Sequence, residues 1–451
     1  MKRVGLWLGI DRAVFFTLLG RGWNVGAGLL TIVVIAHFLS PELQGYYYTF
    51  NSLIALQIFA ELGLNFAIIQ FASHEMAQLS WQPDGTVSGQ PEAKRRLQSL
   101  LHFAFSWFGV AALLMIAILL PAGLYFFNAN KADALVVPNV NSSWSLLVIF
   151  TAANLFVTAA SAILQGCGRV AQVAVLRLWQ SVFAVTMVWV VLSLDGQLYA
   201  LTVSSMIMAL IGFAWLWFNY RPFFKDLISY HTLLPGMNWR REIWPFQWRI
   251  AASWMSGYFV FQLFTPLLFR THGPIVAGKM GMSLQIIGAM NGAAMAWITT
   301  KAPVFGQLVA TKQTKVLDAL FFRALAQSFG FLFFGVISVW GILFYFSMME
   351  SPYAARVLPL PLFSFFFLIC LANHIVFAEA AYLRAHKQDP FMVVSVLTGM
   401  ATATLALLFV PPFGAAGAVY SYTTTTLLIS LGGGTAVFFW KRKEWAGKIV
   451  G

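Results

Sequence analysis

The chain is poor in charge and almost free of cysteine. Charged residues make up 10% of its 451 positions, against roughly 25% in a soluble globular domain, so an ordinary water-soluble fold is excluded. Acids are scarcer than bases, with 15 Asp and Glu against 28 Lys and Arg and a formal charge of +13. Cys167 and Cys370 are the only cysteines, which excludes a disulfide framework. No His/Cys cluster has metal-ligand spacing, and no Gly-rich loop lies between a strand and a helix. No cofactor is therefore implied, and the chain does not read as an enzyme. The excess of cations is scattered over loops, which argues against nucleic acid and for an anionic membrane leaflet.

What the chain has in abundance is apolar length. Its hydrophobic fraction is 60% and its mean hydropathy +0.77. A run of about 20 apolar residues crosses roughly 30 Å of hydrocarbon as a helix. Twelve runs fit, at 13–37, 46–70, 103–127, 144–165, 176–194, 198–218, 250–269, 275–298, 324–346, 361–383, 390–410 and 415–439. Alternate loops hold 23 of the 28 cations, and the opposite loops hold only Lys131, Arg270 and Arg356. By the positive-inside rule both termini are cytoplasmic. Met1-Lys2-Arg3 resembles the start of a signal peptide, but Asp11 and Arg12 interrupt the apolar stretch behind it, so the first run reads as a retained anchor.

These signals predict an all-α polytopic membrane protein with two parallel six-helix repeats. The N-terminal lobe is placed at 1–218, a cytoplasmic interfacial linker at 219–249 and the C-terminal lobe at 250–451. The linker mixes Trp239, Trp244 and Trp248 with Arg240, Arg241 and Arg249, the composition of a membrane–water boundary. Residues 71–102 include a polar stretch with Pro83, Gly85, Gly89 and Pro91 that reads as a flexible loop. Pro41-x-x-x-Gly45 and Pro274-x-x-x-Gly278 recur 233 residues apart, each between the first two helices of a half, as a parallel repeat requires.

Polar residues within spans mark candidate sites, because a charge at mid-bilayer costs roughly 2.5–3.5 kcal/mol on insertion scales. Arg21 and Glu61 lie at matching depth on the first two spans and are expected to pair. Gln57, Glu61 and Asn65 recur at helical spacing, so they form one polar face. Lipid cannot satisfy it, and it must meet protein or water. Asn154, Thr158, Ser161 and Gln165 repeat the device on the fourth span. Arg270 and Lys279 flank a turn, where they either snorkel to the interface or meet an anionic headgroup. Gln262, Gln285 and Asn291 add polarity to spans seven and eight, and Asn373, His374 and Glu379 to span ten. Gly273, Gly278, Gly281, Gly288 and Gly292 permit close helix approach along span eight.

Several stretches resemble the polysaccharide-transporter branch of the multidrug/oligosaccharidyl-lipid/polysaccharide exporter superfamily. They are Gly20-Arg21-Gly22-Trp23-Asn24, Leu39-Ser40-Pro41-Glu42-Leu43-Gln44-Gly45-Tyr46-Tyr47, Glu61-Leu62-Gly63-Leu64 and Gly273-Pro274-Ile275-Val276-Ala277-Gly278. The resemblance implies V-shaped lobes around a cavity and a flippase that moves a polyprenyl-diphosphate-linked oligosaccharide by alternating access across the bacterial inner membrane. It implies that cations meet the diphosphate, with Arg21 leading and Lys279 and Arg270 behind. The expected substrate-binding set is Arg21, Asn24, Gln57, Glu61, Asn65, Asn154, Gln165, Arg270, Lys279, Gln285 and Asn291. Expected partners are the lipid-linked glycan, membrane lipids and other membrane proteins of polysaccharide assembly, with H+ or Na+ as coupling ion. Alternative readings are a cation-coupled multidrug exporter, with Glu61 carrying the ion, and an integral-membrane glycosyltransferase or ligase.

Overall fold

An apolar segment without water to bond its backbone must satisfy every N–H and C=O within itself, and a helix does so. In the computed structural model 88% of the described residues are helical. It describes residues 12–129, 138–230, 236–386 and 390–450, with side chains described except at 12–14, 245–246, 303 and 446–450. Met1, Lys2, Arg3 and Asp11, used above for the reading of a retained anchor, and the loop cations Lys131 and Lys387 lie outside the described residues.

The chain opens with α1 (Arg12–Phe38) and α2 (Pro41–Ile54). A 3-10 turn at Ala55–Gln57 leads to α3 (Ile58–Glu61) and α4 (Leu64–Met76). A hairpin of β1 (Leu79–Trp81) and β2 (Val87–Gly89) follows. Next come α5 (Pro91–Leu114), a π turn at Met115–Leu119, α6 (Leu120–Ala129), α7 (Val140–Gly166), α8 (Val170–Ser193) and α9 (Tyr199–Ile228). The rest comprises α10 (Trp239–Glu242), α11 (Trp244–Phe261), α12 (Phe264–Ala310), α13 (Thr314–Met348), α14 (Leu360–Ala385) and α15 (Met392–Thr424). A second π turn at Thr425–Gly433 leads into α16 (Gly434–Val450).

Eight described helices are long and apolar enough to cross a bilayer, and α2–α4 makes a ninth if its 41° bend lies within one span. Two features separate this from the expected twelve runs. Gly414, at φ 58°, breaks α15 where two runs were expected. The stretch expected to hold runs seven and eight is helical, but Gly273 breaks it at φ 83° and its Gln, Asn and Gly residues dilute its hydropathy. The molecule is a multi-pass membrane protein.

Contacts divide the chain into two compact units. Unit 1 holds the chain up to Ala27 together with Ile54–Trp254, and unit 2 holds Gly28–Leu53 and the chain from Met255 onward.

In unit 1, α7 packs on α4, α5 and α9. Trp144 of α7 is fully buried and its indole fills the space that a Cβ at Gly123 would need. The stretch expected as a flexible loop is instead the β hairpin, paired Leu79 to Gly89 and Trp81 to Val87. Trp81 holds it down. Its Nε1 donates to the Cys167 carbonyl at 2.8 Å, its ring lies 4.8 Å from Phe223, and the Arg169 guanidinium sits 4.1 Å over it. The expected linker is partly helical: α9 runs on to Ile228, and α10 is capped by Asn238. Arg96 ties Glu75 (2.8 Å) to Glu242 (2.6 Å).

In unit 2, α12 packs on α13, α14 and α15, with Phe305, Phe321, Tyr382 and Phe438 at one end of the core. The Leu-Ser-Pro-Glu turn now has a mechanism. Ser40 Oγ accepts from the Leu43 amide at 3.2 Å, Pro41 stands where no amide is needed, and Glu42 faces the helix dipole. The two Pro-x-x-x-Gly turns lie against each other. A Cβ at Gly45 would stand 2.0 Å from the Pro274 carbonyl oxygen, and one at Gly278 would stand 2.9 Å from the Gly45 nitrogen. Gln44 Nε2 fastens the contact by donating to the carbonyls of Gly278 and Arg356, both at 2.9 Å.

Candidate functional site

Unit 2 contains a cavity of about 660 Å3, within the range of roughly 300–1,000 Å3 typical of small-molecule sites. It is built by α2, the break between α11 and α12, the middle of α12, and α14 with α15. Gly288 and Gly292 line it and have no neighbour where a Cβ would stand, so they supply its room. Gly281 has the opposite role, since its Cβ would meet Tyr48 at 2.4 Å. Phe261, Phe377 and Tyr422 give aromatic walls, and Gln262, Gln285, Asn291 and Asn373 give amides. Among the described residues no charged side chain lines it.

The amides are held from behind. Tyr48 Oη donates to Gln285 Oε1 at 2.5 Å. Asn373 Nδ2 donates to Tyr422 Oη at 3.0 Å. Asn291 Oδ1 lies 3.3 Å from His374 Nδ1, and His374 Nε2 lies 2.8 Å from Ser328 Oγ. His374 is fully buried.

Of the residues named from sequence, Gln285 and Asn291 meet in this cavity, with Gln262 and Asn373. Arg270 is exposed and Lys279 half-buried, and neither lines it. The other candidates belong to unit 1 or its part of α1. Arg21 is exposed on α1. Asn24 is exposed as well, and its Oδ1 accepts from Ser181 Oγ at 2.5 Å. The Gln57–Glu61–Asn65 face does not run along one regular helix, because Leu62 and Gly63 take left-handed φ of 50° and 67°. Across that break Asn65 Nδ2 still donates to Glu61 Oε2 at 3.3 Å. Gln57 lines a separate hollow of about 520 Å3 in unit 1, walled by Leu56, Phe59, Trp107, Leu114 and Ile118. Asn154 binds helix to helix, donating to the Ser205 carbonyl at 2.9 Å. Gln165 is half-buried near the end of α7.

Sequence reasoning missed Tyr48 and Tyr422. For Tyr48 the signal was the run Tyr46-Tyr47-Tyr48 at the start of the second span, because a buried tyrosine hydroxyl needs a polar partner.

A family model described as "Polysaccharide biosynthesis protein" matches residues 10–309. No curated protein matches the chain. Among solved structures, an inward-facing multidrug resistance MATE family transporter of the MOP superfamily aligns at TM-score 0.64 and 15% identity, over 97% of this chain and 99% of that one. A MOP superfamily transporter from Pyrococcus furiosus aligns at 0.56 and 12%, over 96% and 95%. The lipid II flippase MurJ, inward closed, aligns at 0.55 and 14%, over 95% and 87%. At such identities the likeness is one of fold.

Proposed function

The chain belongs to the polysaccharide biosynthesis protein family and has the fold of MOP superfamily transporters, and from that premise we propose that it is a flippase for a lipid-linked oligosaccharide. The glycan would travel on a polyprenyl diphosphate from the cytoplasmic to the periplasmic leaflet of a bacterial inner membrane. Twelve spans in halves 1–218 and 250–451, both termini cytoplasmic, would rock in alternating access. The observation that carries the reading is the unit 2 cavity, whose lining of amides and aromatic rings without charge suits sugar rings. The apolar hollow of unit 1 suits hydrocarbon. The diphosphate must find its cation elsewhere, and Arg21, exposed on a membrane helix, remains the candidate.

The reading is tested in vesicles containing the purified chain and a fluorescent lipid-linked oligosaccharide, with exposure of the glycan to an impermeant enzyme as readout. The expected result is passage of the outer-leaflet glycan to the inner leaflet, lost in Arg21→Ala. No passage by the native chain would sink it. A second reading, the cation-coupled exporter, has Glu379 in its favour, a buried carboxylate that accepts from Thr435 Oγ1 at 3.2 Å. Export of a cationic dye that stops in Glu379→Gln, with no glycan movement, would select it.

A further inference from the structure

The hollow of unit 1 sits between two irregularities of the backbone. On one wall Leu62 and Gly63 take left-handed φ, an outlier for a residue as bulky as leucine. The other wall carries the π turn at Met115–Leu119, a device frequent at functional sites. Trp107 joins the walls at one end, its Nε1 donating to the Ala60 carbonyl at 3.0 Å. From Trp107 the hollow follows α5 and the π turn to Ile118, about 16 Å at 1.5 Å per residue. Apart from Gln57 its described lining is apolar. Val110, Leu114 and Ile118 on this wall are each more than half exposed, so the hollow opens sideways, where a membrane helix meets lipid.

The Trp107 end lies beneath a cationic strip. A narrow cleft lined by Leu62, Trp107, Trp239 and Trp244 joins it to α10 and the start of α11. Trp239 stacks on Phe103 with ring centroids 5.2 Å apart, and Gln247 Nε2 donates to the Leu62 carbonyl at the break. Ile243, at φ −94° and ψ −48°, keeps a helical turn between α10 and α11, so Arg240, Trp244 and Trp248 follow one face. Arg240, Arg241 and Arg249 are exposed. The Arg240 guanidinium lies 5.5 Å over Trp239, and that of Arg249 lies 5.6 Å over Trp248. Among the described residues none of the three arginines has an ion-pair partner, since Glu242 is taken by Arg96.

We propose that this hollow holds one acyl chain of an anionic phospholipid, with the headgroup phosphate against Arg240 and Arg249 and the second chain in the surrounding bilayer. Charge and shape identify the occupant. Exposed arginines at a leaflet surface attract anionic lipid, and tryptophan at the mouth of the hollow is the residue that sits at headgroup level. A slot of this length and polarity fits a flexible hydrocarbon chain. A zwitterionic lipid brings an ammonium group along with its phosphate, and that ammonium repels the guanidinium groups. The resident lipid braces the break at Leu62–Gly63 against α5, whatever substrate the chain moves.

The experiment is native mass spectrometry of the full chain in detergent with phosphatidylglycerol and phosphatidylcholine as probes. It is paired with cross-linking by a phosphatidylglycerol that carries a diazirine in one acyl chain. Phosphatidylglycerol should be retained at least about tenfold better than phosphatidylcholine, and the cross-links should fall on residues 56–62 and 107–119, the walls of the hollow. The double variant Arg240→Gln, Arg249→Gln should lower retention of phosphatidylglycerol at least about tenfold. Arg323→Gln, which removes an exposed cation of unit 2, should leave retention unchanged. Leu114→Trp fills the slot from a half-exposed position and should abolish the cross-link, with the thermal midpoint of the lipid-free chain unchanged. Glycerol phosphate, a headgroup without a chain, should not displace the lipid. Equal retention of the two lipids, cross-links outside the two walls, or full retention by the double arginine variant would overturn the proposal. Displacement by a polyprenyl phosphate at lower concentration than by phosphatidylglycerol would assign the hollow to the tail of a transported lipid and overturn it as well.

Discussion

At Gly45 one methyl group decides whether two turns can meet. Its added Cβ would overlap the Pro274 carbonyl at 2.0 Å, and neither backbone can yield without moving a helix end. Gly45→Ala should therefore lower stability by about 1–3 kcal/mol or more, read as a fall in thermal midpoint in detergent. Gly22→Ala is the control, because nothing lies within 4 Å of its added Cβ and it should leave the midpoint unchanged. Gly288→Leu should fold, since its site is open, yet cut glycan passage by filling the cavity. Cys167 reports on packing at the same scale. Burial pushes its thiol up to about 12, and only the thiolate reacts. A maleimide at pH 8 should label this position after unfolding and not before, and rapid labelling of the folded chain would contradict the burial. The Pro-x-x-x-Gly pattern was visible in the sequence at both turns. That the two turns touch was not, because contact across 233 residues leaves no local trace.

Among the elements, the β hairpin departs furthest from its sequence expectation. Pro83, Gly85, Gly89 and Pro91 were correct punctuation for a turn, but the ordering comes from Trp81, whose partners are Cys167 and Arg169 in the turn between α7 and α8 and Phe223 on α9. Trp81→Ala should release the hairpin at a cost of about 3–5 kcal/mol, seen as faster hydrogen exchange at residues 79–89 with α7 unaffected. Beside it, Arg96 joins α5 to α10 through Glu242. The hydrogen bond from Arg96 holds the Glu242 carboxyl below its ordinary range, so the folded chain favours the charged form. That contribution is present above the ordinary glutamate pKa of about 4.3 and is lost as the pH falls through the lowered value. Glu242→Gln should cost less than about 1 kcal/mol at pH 7, as befits a partly exposed pair. The cost should shrink in acid, and a cost that grew as the pH fell would refute the assignment. The polar face at Gln57, Glu61 and Asn65 was legible as spacing. The break at Leu62–Gly63 was not, because only Gly63 announces it.

For the whole molecule, the decisive prediction concerns charge. Asn373→Asp places an acid in a cavity with no charged side chain lining it among the described residues. It should reduce passage of a neutral lipid-linked glycan by at least about tenfold while membrane insertion is retained, and unimpaired passage would show that the substrate avoids this cavity. Composition and apolar run length by themselves determined that the chain is helical and lives in a bilayer, because hydrocarbon leaves the backbone no other partner. They also located Gln285, Asn291 and Asn373 as polar exceptions. Only the tertiary structure decided that these three share one chamber with Tyr48 and Tyr422 while Arg270 and Lys279 stay outside it. The reason is physical: insertion depends on each segment's own transfer energy, whereas a cavity depends on which helices pack and on where glycine leaves space between them.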